Sequence, residues 1–71
     1  MSDYDPIDCS LYDRYEAAAT LRQLVELRLT DGTLRTGRIR DLQVRDKVEW
    51  MVLDQTPDIR LDMISEMRIL M

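Results

Sequence analysis

The 71 residues predict a mainly β fold with one N-terminal α-helix, built as a small five-stranded antiparallel β-barrel. Three observations lead there. A short segment near the start carries helical periodicity. Everything after about residue 23 alternates with period two. That alternation also slips parity within single strands, which a flat, regular ladder does not allow. The expected organisation is a single domain over 1–71: an extended acidic arm over 1–9, a helix over 10–20 and the barrel over 23–71.

In the arm, Pro6 biases Asp5 towards extended backbone. Ser10 followed by Asp13 is a weaker relative of the capping box and predicts a helix from Leu11 to about Thr20, helped by Ala17, Ala18 and Ala19. At about 100° per residue, Leu11, Tyr15 and Ala18 form one stripe, which predicts a core-facing side. Tyr12, Asp13 and Glu16 gather on the opposite side.

Val25, Leu27 and Leu29 alternate with Glu26, Arg28 and Thr30, a first strand with one buried face. Asp31-Gly32 marks a hairpin turn. The second strand opens with Leu34 and Thr36 in phase, shifts to Ile39 past Gly37, and shifts back by Leu42 and Val44. This pattern predicts bulges or bends at Gly37 and near Arg40-Asp41. The segment "VRDKVE" carries the next reversal. Val48, Trp50 and Val52 then alternate with Glu49, Met51 and Leu53, a strand apolar on both faces and therefore central, with Trp50 expected inside the barrel. Ile59, Leu61 and Met63 predict a fourth strand, the phase slips at Ile64-Ser65-Glu66, and Met67, Ile69 and Met71 complete a fifth. One helix, then five short strands with a bent second and a one-turn break before the last, is the ordering of a small Sm-like barrel. Glycine bends let a sheet of this size curl.

Composition excludes several function classes. With no histidine and Cys9 the only cysteine, neither an internal disulfide nor a thiolate–imidazole zinc site can be assembled, and no metal or cofactor is expected. No apolar run approaches the roughly 20 residues of a membrane span, and the acidic start is unlike a secretory signal. A cytoplasmic protein is expected. The net charge of −4 is concentrated at one end: residues 1–16 hold Asp3, Asp5, Asp8, Asp13 and Glu16 against Arg14, and the remainder is balanced. Such polarity argues against direct binding of nucleic acid and for a basic protein partner.

The acidic residues do not suit catalysis. Carboxylates on an arm and an exposed helix face are levelled by water, and a nucleophile–base pair is hard to assemble here, so an enzyme is not expected. "DYDPID" spaces its acids like the start of a calcium loop but lacks the glycine and is interrupted by proline. Cys9 lies near a helix start, which favours a thiolate, but its acidic neighbours oppose one, so it is expected to tuck under the helix as a small apolar residue. Arg35, Arg38 and Arg40 along the second strand read either as a phosphate patch or as a solvated salt-bridged surface. With Glu26, Asp31 and Asp41 nearby, the latter is preferred.

Taken together, "YDPIDCSLYDRYE", "LVELRLTDG", "RIRDLQVRDKVEWMVL" and "IRLDMIS" resemble the Rof (YaeO) family, small bacterial inhibitors of the transcription termination factor Rho. The resemblance spans Tyr4 to about Arg68. It implies an Sm-like barrel preceded by a helix, and a protein ligand that blocks the primary RNA-binding site on the OB-fold surface of the Rho N-terminal domain. It also implies where the contact falls: Tyr12, Asp13 and Glu16 on the helix, with Asp8 before it and Arg45 and Lys47 in the turn between strands two and three. Asp46 departs from the family pattern by placing an acid between these bases. The free protein is expected to be a monomer. The alternative from the residues alone is an Sm-like module that binds RNA or builds rings through its edge strands.

Overall fold

A computed structural model describes residues 7–71. The expectations on Pro6 and on the acids before it lie outside the described residues. The elements are α1 (Cys9–Thr20), β1 (Leu24–Leu29), β2 (Leu34–Arg45), β3 (Val48–Leu53), β4 (Ile59–Arg60), a 3₁₀ turn (Leu61–Met63) and β5 (Ile64–Ile69). All strand pairs are antiparallel, in the order β4-β3-β2-β1-β5.

The helix is capped by Asp8 rather than Ser10. An Asp8 Oδ1 accepts the Ser10 amide at 2.8 Å and also the Ser10 hydroxyl. Ser10 therefore lies inside the first turn, and the cap falls two residues earlier than the sequence spacing suggests. Tyr15 and Ala18 are buried, as the stripe predicts, and Leu11 packs at the edge of the core. Cys9 is exposed as the first helical residue, which corrects the expectation that it tucks beneath the helix.

In β1, Val25 and Leu27 are fully buried. The following hairpin closes with the Gly32 amide donating to the Leu29 carbonyl at 2.9 Å and the Thr33 amide to Asp31 Oδ1 at 2.9 Å. Gly32 sits at φ +88°, a conformation that favours glycine.

β2 differs from the sequence reading in one respect. Its inward residues are Gly37, Ile39 and, past the bulge, Leu42; Leu34 is 52% exposed. The register with β1 runs unbroken through Gly37, so the parity shift expected there does not exist. Leu34 and Thr36 point outward, and apolarity at Leu34 does not report burial. Gly37 instead makes room for Asp54, whose Oδ1 accepts the Arg38 amide at 3.1 Å and lies 2.9 Å from where a Cβ would stand. The shift near Arg40-Asp41 is real: Ile39 pairs with Leu53 and Asp41 with Val52, leaving Arg40 as the extra residue. β2 is thus shared, pairing with β1 before the bulge and with β3 after it.

β3 is interior to the sheet, as expected, but its faces are reversed. Met51 and Leu53 are buried, whereas Trp50 is only partly buried and lies on the outer face with its cross-strand partners Gln43 and Arg60. A strand apolar on both sides does not announce which side is inward. The fourth strand is cut to Ile59–Arg60, because Leu61–Met63 wind into the 3₁₀ turn and bury Leu61. The slip expected at Ile64-Ser65-Glu66 is found: Leu29 pairs with Ile64 and Arg28 with Glu66, and Ser65 bulges between them with its hydroxyl donating to the Arg28 carbonyl.

β4 and β5 are the two edges, and no ladder joins them among the described residues, so the sheet is not closed by hydrogen bonds. It must nevertheless curl. Four strand spacings in a flat sheet put the edges about 19 Å apart. The 3₁₀ turn that connects those edges is only Leu61–Met63, a rise of about 6 Å. The concave side holds Tyr15 and Ala18 from the helix with Val25, Leu27, Ile39, Met51, Leu53, Ile59, Leu61, Ile64 and Met67 from the sheet. No helix among the described residues is long and apolar enough to cross a membrane.

Candidate partner-binding face

Because Tyr15 and Ala18 are drawn into the core against β2, the flank of α1 that carries Asp13 and Glu16 is left at the surface. Tyr12 packs part of its ring against the core edge, while Asp13 and Glu16 are exposed beside it. Tyr12 thus lies at the flank of the core, not on the side opposite it that the spacing predicts, while Asp13 and Glu16 are exposed and Asp8 is exposed at the N-terminal end.

The fold adds two acids that helix periodicity could not supply. Glu49 on β3 and Asp41 on β2 are close enough for their charges to act on Tyr12. Burial, then the charges of Glu16, Glu49 and Asp41, raise the Tyr12 hydroxyl above its ordinary pKa. It stays neutral at physiological pH and can donate a hydrogen bond outward. Ile7, Cys9, Tyr12, Asp13 and Glu49 line a shallow groove of about 270 Å³. Glu49 Oε1 accepts the Ile7 amide at 3.3 Å, which fixes the entry to the helix against β3. Asp41 Oδ1 accepts the Leu42 amide at 2.9 Å and Oδ2 the Gln43 amide nitrogen at 3.0 Å, so its orientation is set by its own strand. A second groove, about 240 Å³, runs from Glu16 along Asp41 and Leu42 to Arg40.

Among the described residues the ion pairs are Arg28–Glu66, Arg45–Asp58 and Arg60–Asp62, and none involves Asp8, Asp13, Glu16 or Asp41. These four carboxylates are exposed, and none is ion-paired to an arginine among the described residues. Glu49 is legible in hindsight. It sits in phase with Met51 and Leu53, and a charge in phase with core residues marks the rim of the buried face.

The turn after β2 is a two-residue hairpin with Asp46 at φ 51° and Lys47 at φ 66°, both left-handed without glycine. Lys47 is exposed. Arg45 is held in place: its Nη2 is 2.8 Å from Asp58 Oδ2, and its guanidinium lies 4.8 Å from the Trp50 ring centroid. Glu49 lies two residues past the turn and contacts Ile7 just ahead of the helix, so the turn and the helix N-terminus share one end of the molecule. Among the described residues no group of three or more Cys, Asp or Glu side chains is placed to hold a metal ion.

A family model described as "Modulator of Rho-dependent transcription termination (ROF)" matches residues 6–71. "Protein rof" of Escherichia coli (strain K12) is 35% identical over 65 residues, spanning 87% of this chain and 77% of the relative. "Protein rof" of Shigella flexneri matches at the same 35% identity and coverage. A match over almost the entire chain, by family model and by relatives alike, establishes that the chain belongs to the ROF family of modulators of Rho-dependent transcription termination.

Proposed function

We propose that this protein is an inhibitor of Rho and acts by electrostatic mimicry of RNA. The acidic face around Tyr12 docks on the basic RNA-binding cleft of the Rho N-terminal OB-fold and keeps transcripts out. The observation that carries this reading is the set of carboxylates gathered around a partly buried tyrosine: the exposed Asp8, Asp13 and Glu16 from the helix and Asp41 from β2, with Glu49 of β3 at the rim. A cleft lined by lysine and arginine attracts such a face over a Debye length, and the desolvated pairs at its centre then slow dissociation. Tyr12 supplies the aromatic anchor that interfaces favour at their centre. Lys47 and the held guanidinium of Arg45 extend the contact along the turn, towards acidic or carbonyl groups at the cleft rim.

The curled sheet, its strand order and the 3₁₀ link between its edges support an open Sm-like barrel as the scaffold, with residues 1–71 as a single domain. In this reading the protein is a ligand rather than an enzyme. It needs no cofactor, works in the cytoplasm where transcripts terminate, and meets Rho as a monomer.

RNA filter binding by Rho, with and without saturating protein at low salt, tests the proposal. Added protein is expected to remove RNA from Rho. The Asp13→Lys/Glu16→Lys variant, folded by circular dichroism, is expected to lose most of that effect. Unchanged RNA affinity in the presence of wild-type protein would reject the inhibitor reading. Full activity of the double variant would reject only the assigned face.

A further inference from the structure

The proposed interface leaves one concentration of charge unused, at the other end of α1. Arg22, Arg38 and Arg40 line one groove of about 510 Å³ together with Thr20, Ile39 and Asp54. Local structure places each of them. The chain leaves the helix through a glycine-type closure in which the Arg22 amide donates to the Ala19 carbonyl at 3.1 Å and the Gln23 amide to the Ala18 carbonyl at 3.0 Å, with Arg22 at φ 54°. Arg38 Nε donates to the Arg22 carbonyl at 3.1 Å, which ties its guanidinium to the chain just past the helix. Arg40 is the bulged residue of β2, released from the regular alternation.

Two bland explanations fail for this cluster. The sequence favours a salt-bridged surface, yet none of the three arginines takes part in the ion pairs found among the described residues. Nor does the helix C-terminus need three cations: the carbonyls of Ala17, Ala18 and Ala19 already accept the amides of Leu21, Gln23 and Arg22. Asp54 is the acid in the groove, and one of its oxygens is occupied by the Arg38 amide at 3.1 Å. Within this groove three guanidinium groups face one carboxylate, and the acids of the adjoining groove, Glu16 and Asp41, border it only on the Arg40 side.

We propose that this groove is a phosphate-binding site, with Arg22, Arg38 and Arg40 as its ligands. Guanidinium forks match phosphate oxygens in pairs. The volume fits a ligand of nucleotide size. An acidic peptide would want an apolar anchor beside the charges, and the lining offers little beyond Ala19 and the buried Ile39. The phosphate comes from a nucleotide or from a nucleic-acid backbone. This site adjoins the Rho-directed face, since Arg40 also borders the groove that holds Glu16 and Asp41, but its ligands are not contacts of that face and it does not depend on that proposal.

Titration of the folded, isotope-labelled protein with pyrophosphate, ATP, single-stranded oligouridylate and oligoglutamate, followed by amide NMR shifts, tests it. Saturable shifts at Thr20, Arg22, Arg38 and Arg40 are expected with pyrophosphate. The Arg22→Gly/Arg40→Gln variant is expected to bind about tenfold more weakly or worse. Arg22→Gly relieves a left-handed arginine and so protects the fold. If the double variant does not fold, Arg40→Gln alone is read in its place. Tighter binding of ATP than of oligouridylate assigns the phosphate to a nucleotide, and the reverse order to a nucleic-acid backbone. No saturable shifts at these residues, equal pyrophosphate affinity in the variant, or a response to oligoglutamate only would overturn the proposal.

Discussion

Asp8 holds the first turn of α1 through a single oxygen that accepts both the Ser10 amide and the Ser10 hydroxyl. Its carboxyl is lowered from the ordinary value of 3.8, chiefly by the Ser10 side chain and then by the Ser10 amide. A depressed folded pKa contributes stability that is present above 3.8 and is lost as pH falls through the lower folded value. Asp8→Ala is therefore expected to lower the melting temperature by several degrees at neutral pH. The difference from wild type should shrink as pH falls below 3.8, as the charge-dependent part of the cap is lost. Thermal melts by circular dichroism at neutral pH and below pH 3.8 check this, and a pH-independent difference would mean that the cap works without its charge. Individual side chains were unevenly legible in the sequence. Tyr15 and Ala18 followed from the helical stripe because one face of a short helix must be buried. Asp8 and Ser10 are both good caps, and composition alone does not choose between them; backbone geometry chose Asp8.

Among the elements, the β2–β3 hairpin carries the clearest local strain. A two-residue turn with both positions at positive φ is built for Asn-Gly or Asp-Gly, and here Lys47 occupies the glycine position at φ 66°. Lys47→Gly is expected to stabilise the protein by about 1 kcal/mol, measured by urea unfolding, because it removes left-handed strain from a residue with a Cβ. The same variant is expected to bind Rho more weakly. A folding gain coupled to a binding loss would mark Lys47 as a contact residue, and unchanged binding would remove the turn from the interface. The reversal itself was legible from "VRDKVE", as were β1, the Arg40 bulge and the slip at Ser65. The facing of β3 was not, because Val48, Trp50 and Val52 are as apolar as Met51 and Leu53. Only pairing with Leu42 and Ile59 turns Met51 inward and leaves Trp50 outside beneath Arg45. Leu34 misled in the same way, as an apolar residue on an outward register.

Across the whole molecule, the fold separates charge by location. Asp8, Asp13, Glu16, Asp41 and Glu49 gather around Tyr12, while Arg22, Arg38 and Arg40 gather past the helix C-terminus, and the two sets meet where Arg40 borders the groove of Glu16 and Asp41. Half of the acidic face could be read from helical spacing. The other half required knowing that α1 lies against β2 with Glu49 at its rim, a long-range contact that no local pattern encodes. The consequence of this polarity is that attraction to a basic partner should be strongly sensitive to salt. Affinity for purified Rho, measured calorimetrically from about 50 mM to about 500 mM salt, tests this most directly. Wild-type binding should weaken steeply with salt, and Asp13→Asn/Glu16→Gln should bind more weakly at low salt with a shallower dependence. Equal affinities and equal slopes for the two proteins would contradict recognition through the acidic face.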